Sequence, residues 1–141
     1  MTTREQFIGA SIQGVYLFAR KEGWLQRLLT GGDEGTGTLV LTAHRLVWIK
    51  SKGGHEALAG GPKVDTVDQL ESLWNSHGGL AIPLDEIHAA EVSQSSGYGS
   101  YGYGRGPMSE LTVQYGSPTV VKTFRFYGKE TAEEVRERIA P

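Results

Sequence analysis

The chain has 141 residues, the size of one ordinary domain and enough to bury a hydrophobic core without disulfides or metals. Fourteen basic against sixteen acidic side chains leave a net charge of -2, so no global field draws it to nucleic acid or anionic lipid, and any such partner must be met by a local patch. It contains no cysteine, which excludes a disulfide framework, a zinc knuckle and a thiol nucleophile and fits a reducing, cytoplasmic setting.

Glycine is the outlier at 20 residues, and fifteen of them fall in four windows, 31–37, 53–61, 78–79 and 97–106, which read as loops. Between these loops the apolar residues mostly alternate, the period of a half-buried strand. Val15, Leu17 and Ala19 share one face of a first strand, with Tyr16 and Phe18 on the other. A less regular apolar stretch follows, Trp24, Leu25, Leu28 and Leu29, with room for a short helix. Thr38–Thr42 and Arg45–Ile49 are β-branched and aromatic runs joined by Ala43 and His44, which predicts a second and third strand in a tight hairpin.

Residues 53–79 read as an insertion bounded by glycine pairs. Inside it Asp65 or Thr66 can cap a helix whose Val67, Leu70, Leu73 and Trp74 fall on one face. That face either docks on the sheet or forms an exposed ridge for a partner; a helix this short needs tertiary packing, which favours docking. Leu80–Leu84 is a fourth strand, with Pro83 marking an edge or an end. Ile87–Gln94 is a fifth, and the tract from Ser95 to Pro107 has too little aliphatic surface to order by itself, so it is expected to be a mobile loop. Glu110–Tyr115 and Val120–Tyr127 are strands six and seven, and in the latter Phe124 and Phe126 share a face opposed by Thr123 and Arg125. The chain closes on a helix over 130–139, with Ala132, Val135 and Ile139 on one side, acids in the first turn and arginines in the last. Seven strands before a single helix imply an α+β, mainly β domain spanning 1–141: an antiparallel barrel or sandwich capped by the C-terminal helix, with insertions at 53–79 and 95–107.

The run Gly37-Thr-Leu-Val-Leu-Thr-Ala-His-Arg-Leu-Val-Trp-Ile49 resembles the signature of GRAM and GLUE domains, a glycine-threonine strand, a Thr-x-His-Arg turn and a Leu-x-Trp strand. Ala81–Ile87 resembles the same families' next strand and turn, and Phe124-Arg-Phe126 before an amphipathic helix resembles their close. The resemblance implies a pleckstrin-homology-like fold. GLUE domains belong to the ESCRT-II machinery; the family binds ubiquitin and, in some members, phosphoinositides, whereas GRAM domains imply membrane-associated roles. It further implies a cytoplasmic adaptor peripheral to membranes, with other ESCRT subunits as partners. The physics of the motif is structural first: Thr42 and His44 can hydrogen-bond within the hairpin, Arg45 can satisfy carbonyls or a carboxylate near the turn, and the Trp48 indole needs an acceptor.

Candidate chemistry is sparse. His44, His55, His77 and His88 form no metal-ligand pair spacing, so no metal or cofactor is expected. Gly31–Gly37 lacks the lysine and helix of a phosphate cradle, no Gly-x-Ser-x-Gly elbow exists, and Asp85 and Glu86 are adjacent and diverge, so no enzyme is expected. For lipid headgroups the candidate cations are Arg20, Lys21 and Arg27 around the first strand and Lys50, Lys52 and Lys63 after the third, diluted by Glu22, Asp33 and Glu34. For a protein partner the candidates are the Leu73–Trp74 ridge, and Val92 and Val135 on the exposed side of strands five and six and the last helix. Tyr98, Tyr101 and Tyr103 with Arg105 are too poor in cations for nucleic acid, and a flexible linker is the better reading. The functional expectation is therefore a non-catalytic adaptor for ubiquitin and acidic membrane lipid; the alternative is a GRAM-like module that attaches to a membrane or a protein partner without ubiquitin.

Overall fold

Alternating apolar runs separated by glycine punctuation build strands wherever one face can be buried, and the computed structural model, which describes residues 8–18, 35–95, 108–128 and 130–139, contains seven of them. They are β1 (Ile8–Phe18), β2 (Gly35–Thr42), β3 (Arg45–Lys50), β4 (Gly79–Pro83), β5 (Ile87–Ser95), β6 (Met108–Tyr115) and β7 (Val120–Tyr127). Among the described residues three α-helices accompany them, a single turn α1 (His55–Leu58), α2 (Val67–His77) and the C-terminal α3 (Thr131–Ile139), with a 3-10 turn at Leu84–Glu86. The strands form one sheet in the order β4-β3-β2-β1-β7-β6-β5. The protein is thus mainly β, with seven antiparallel strands, a C-terminal helix and a helix between β3 and β4, the pleckstrin-homology-like arrangement anticipated above. The Trp24–Leu29 stretch and most of the tract to Pro107 lie outside the described residues.

By contact density the described residues divide into two units, 8–15 with 35–85, and 16–18 with 86–95, 108–128 and 130–139. In the first unit β2 pairs with β3 from Gly37↔Lys50 to Leu41↔Leu46, and β3 with β4 from Arg45↔Pro83 to Ile49↔Gly79. Both faces of this sheet are apolar and buried. On one lie Leu39, Leu41, Leu46, Trp48 and Ile82; on the other, Val40, Val47 and Ile49 cluster with Val64 and Leu70, and Leu73, Trp74 and Ala81 pack against them. α2 therefore docks, and the Leu73–Trp74 ridge is the docking surface, packed inward against its own sheet.

The helix starts where its cap chemistry says it should. The Thr66 hydroxyl accepts from Gln69 N–H at 3.1 Å, and the Gln69 side-chain oxygen accepts from Thr66 N–H at 3.3 Å, so each residue satisfies an otherwise orphan amide. α1 has no counterpart in the sequence reading because four residues are too few to show a helical period.

In the second unit Tyr16, Leu17 and Phe18 of β1 pair with Arg125, Phe124 and Thr123 of β7, while β6 lies between β7 and β5. Leu17, Leu111, Val113, Phe124 and Phe126 are buried, as are Ala132, Val135 and Ile139 of α3. Ser109 ties the helix to the sheet: its hydroxyl donates to the Gly128 carbonyl at 2.7 Å and accepts from Ala132 N–H at 3.1 Å. β1 begins at Ile8, seven residues before Val15, because Gly9, Ala10, Ser11 and Gly14 carry little apolar pattern to read.

Candidate binding surfaces

The Gly37–Ile49 motif spends its distinctive residues on the fold. The Thr42 hydroxyl accepts from the backbone N–H groups of His44 at 3.3 Å and Arg45 at 3.1 Å, closing the β2–β3 turn. Arg45 reaches a carboxylate, Glu71 on α2, so the hairpin and the helix that covers it are joined by an ion pair. Trp48 is fully buried and its indole donates to the Val15 carbonyl at 3.1 Å. Gly37 is required by close approach: a Cβ there would run into the Ile49 carbonyl and lie 2.9 Å from the Trp48 ring.

Of the six cations considered for lipid, Arg20, Lys21 and Arg27 lie outside the described residues. Lys50 ends β3 and is half-buried; Lys52 and Lys63 are exposed on the segment after it, with Lys63 Nζ 4.0 Å from Asp65. Of the four partner candidates, Val135 is 2% exposed and faces inward. Val92 sits opposite Leu111, on the same side of the sheet as the buried core, so it is half-buried and is not part of the outward face. Leu73 and Trp74 pack on their own sheet, as described.

The outward side of β5 and β6 is instead Glu91, Ser93 and Glu110, and it continues across β7 and β1. Ser93, Glu110, Arg125 and Tyr16 stand side by side in one row over four strands, because the pairings Ser93↔Glu110, Glu110↔Arg125 and Arg125↔Tyr16 are in register. Tyr127, two residues beyond Arg125, shares this face. Arg125 grips Glu110 through Nε at 3.0 Å and a terminal nitrogen at 2.9 Å. Next to that pair Thr112 and Thr123 hydrogen-bond across the strands at 3.1 Å. Tyr16 and Tyr127 are 41% and 57% exposed. The sequence held one signal for this row, the opposition of Arg125 to Phe124 and Phe126; the cross-strand register that assembles it could not be read from one chain.

Elsewhere in the first unit Glu56 of α1 is clasped. Its carboxylate accepts from the Lys52 N–H at 3.0 Å and meets His77 Nε2 at 3.0 Å, and His77 Nδ1 lies 2.6 Å from the Ser76 hydroxyl. Burial pushes the carboxyl up, but the His77 and Lys52 hydrogen bonds, with the nearby charges of the same two residues, outweigh it and hold Glu56 below its ordinary value of 4.5. Both ring nitrogens of His77 are engaged, which is the behaviour of a structural histidine. His44 and His55 are exposed, and His88 contacts the Gly116 carbonyl at 2.7 Å. Among the described residues no three His, Asp or Glu side chains form a group able to hold a metal ion, and no helix is long and apolar enough to cross a membrane.

Compared with known proteins, the chain matches no family model, no curated protein and no solved structure.

Proposed function

We propose that this chain is a non-catalytic binding domain of an ESCRT-like system that recognises ubiquitin and, separately, acidic membrane lipid. The observation that supports the ubiquitin reading is the outward row of the second unit, Tyr16–Arg125–Glu110–Ser93 with Tyr127 beside it. Tyrosine and arginine are the residues that protein interfaces favour, since both offer large contact area with a polar end. Glu110 already has its counter-charge in Arg125, so a partner covering the row would not strand a lone carboxylate away from water. Ubiquitin's recognised face is apolar and would lie against the exposed rings of Tyr16 and Tyr127. The Gly37–Ile49 run resembles GLUE and GRAM domains alike, and ubiquitin is the partner that the GLUE side of the likeness implies.

The test is a two-dimensional NMR titration of the labelled chain with unlabelled ubiquitin, taken to high micromolar concentration. Shifts should concentrate on the amides of Tyr16, Glu110, Arg125 and Tyr127, and Tyr127→Ala should weaken binding about tenfold. No shifts anywhere would sink the ubiquitin reading and leave the GRAM-like alternative. Shifts that avoid this row would keep ubiquitin and discard the site.

A further inference from the structure

Leu58 is 86% exposed. A lone surface leucine is ordinary; what sets this one apart is the turn beneath it, which is fastened on several sides. The Gly61 N–H donates to the Glu56 carbonyl at 2.9 Å, the Gly14 N–H to the Gly60 carbonyl at 2.7 Å, and Gln13 Nε2 to the Gly61 carbonyl at 2.8 Å. The Thr38 hydroxyl donates to the Pro62 carbonyl at 2.5 Å, and the Glu56 carboxylate holds Lys52 N–H and His77. A leucine carried on so braced a turn is presented outward with its ordering cost already met by the fold.

The segment around it leans basic as far as Asp65. Residues 50–63 carry Lys50, Lys52 and Lys63 against a single carboxylate, in a chain whose net charge is -2. That carboxylate, Glu56, is 27% exposed and bound to His77 and the Lys52 amide, which leaves the exposed Lys52 and Lys63 side chains as the outward charges of the segment, the latter shared with Asp65.

We propose that the α1 turn is a membrane-contact tip: Leu58 enters the boundary between headgroups and acyl chains of a bilayer containing acidic lipid, while Lys52 and Lys63 lie at headgroup level. This rests on the acidic-lipid half of the functional reading and adds the site and the mode, apolar insertion alongside charge.

The test is co-sedimentation of the full chain with phosphatidylcholine vesicles, with and without phosphatidylserine. Wild type should partition onto the phosphatidylserine vesicles, and less so at high salt. Leu58→Asp should lower the partition coefficient about tenfold or more, since it replaces a leucine inserted in the bilayer by a repelled carboxylate. Lys52→Glu should lower it too and flatten its salt dependence. Both positions are exposed, and unchanged thermal unfolding of the variants will verify that the fold is kept. Equal binding by Leu58→Asp and wild type would overturn the tip while leaving the lipid reading. Displacement by excess soluble glycerophosphoserine would overturn insertion in favour of headgroup capture. Failure of wild type to bind any vesicle would overturn the lipid reading itself and leave the ubiquitin titration untouched.

Discussion

Trp48 illustrates how a motif residue can look like a ligand contact and work as a fold contact. Its ring is wholly buried, and the single polar atom on it is matched by one buried carbonyl, that of Val15. Trp48→Phe retains most of the apolar area and deletes the donor, so the Val15 carbonyl loses a partner in a place water does not reach. The expected loss of stability is about 1–3 kcal/mol, read by chemical denaturation with an unchanged slope on denaturant concentration. A loss near zero would mean that the carbonyl is satisfied without the indole. The need for an acceptor was legible in the sequence, because a tryptophan in a β-branched run is bound for the core; that the acceptor would lie 33 residues upstream was not, because it depends on how β1 lies beside the hairpin.

At the scale of elements, the insertion is held to its sheet by two different means. α2 contributes an apolar face, with Leu70 fully buried, and the Arg45–Glu71 ion pair at its rim. α1 turns Leu58 outward and is tied down by backbone hydrogen bonds and by the Glu56 carboxylate. Because the folded state holds the Glu56 carboxyl below its ordinary value of 4.5, the clasp stabilises the fold fully above that pH and is lost as pH falls through the lower folded value. Glu56→Gln should therefore be less stable than wild type near neutrality, with the gap closing below about pH 4.5; thermal unfolding of both proteins across that range checks it, and a gap independent of pH would assign the effect to packing. The contrast also explains what was readable. Thr66, Val67, Leu70 and Trp74 announce α2 through a cap and a period, so its existence, its start and its docking face follow from local rules. α1 is four residues between glycines and is specified by a carboxylate 21 positions from its histidine, an interaction with no local signature. The same distinction separates Val92 and Val135, which were candidates for an exposed face, from Tyr16 and Tyr127, which occupy one: alternation says that a strand has two sides, and only the packing of α3 decides which side is covered.

For the molecule as a whole, the two proposed surfaces lie in different units, Tyr16–Arg125–Tyr127 in the second and Leu58 with Lys52 in the first. They also rest on different forces. The tyrosine row offers contact area around a neutralised ion pair, so its affinity should change little with salt, whereas the lysine-flanked turn draws on attraction to an acidic surface and should weaken as salt shortens the range of charge. The two bindings should therefore separate. Tyr127→Ala should reduce ubiquitin binding about tenfold with vesicle partition unchanged, Leu58→Asp should do the reverse, and the double variant should show each loss at the size seen in its single variant, as independent sites do. Titrating ubiquitin in the presence of saturating phosphatidylserine vesicles decides whether they are independent in the intact chain. An unchanged dissociation constant means that ubiquitin and membrane are held at once by surfaces that do not compete. A shift in that constant must be mirrored by an equal shift in vesicle partition at saturating ubiquitin, because a coupling free energy between two sites is the same from either side.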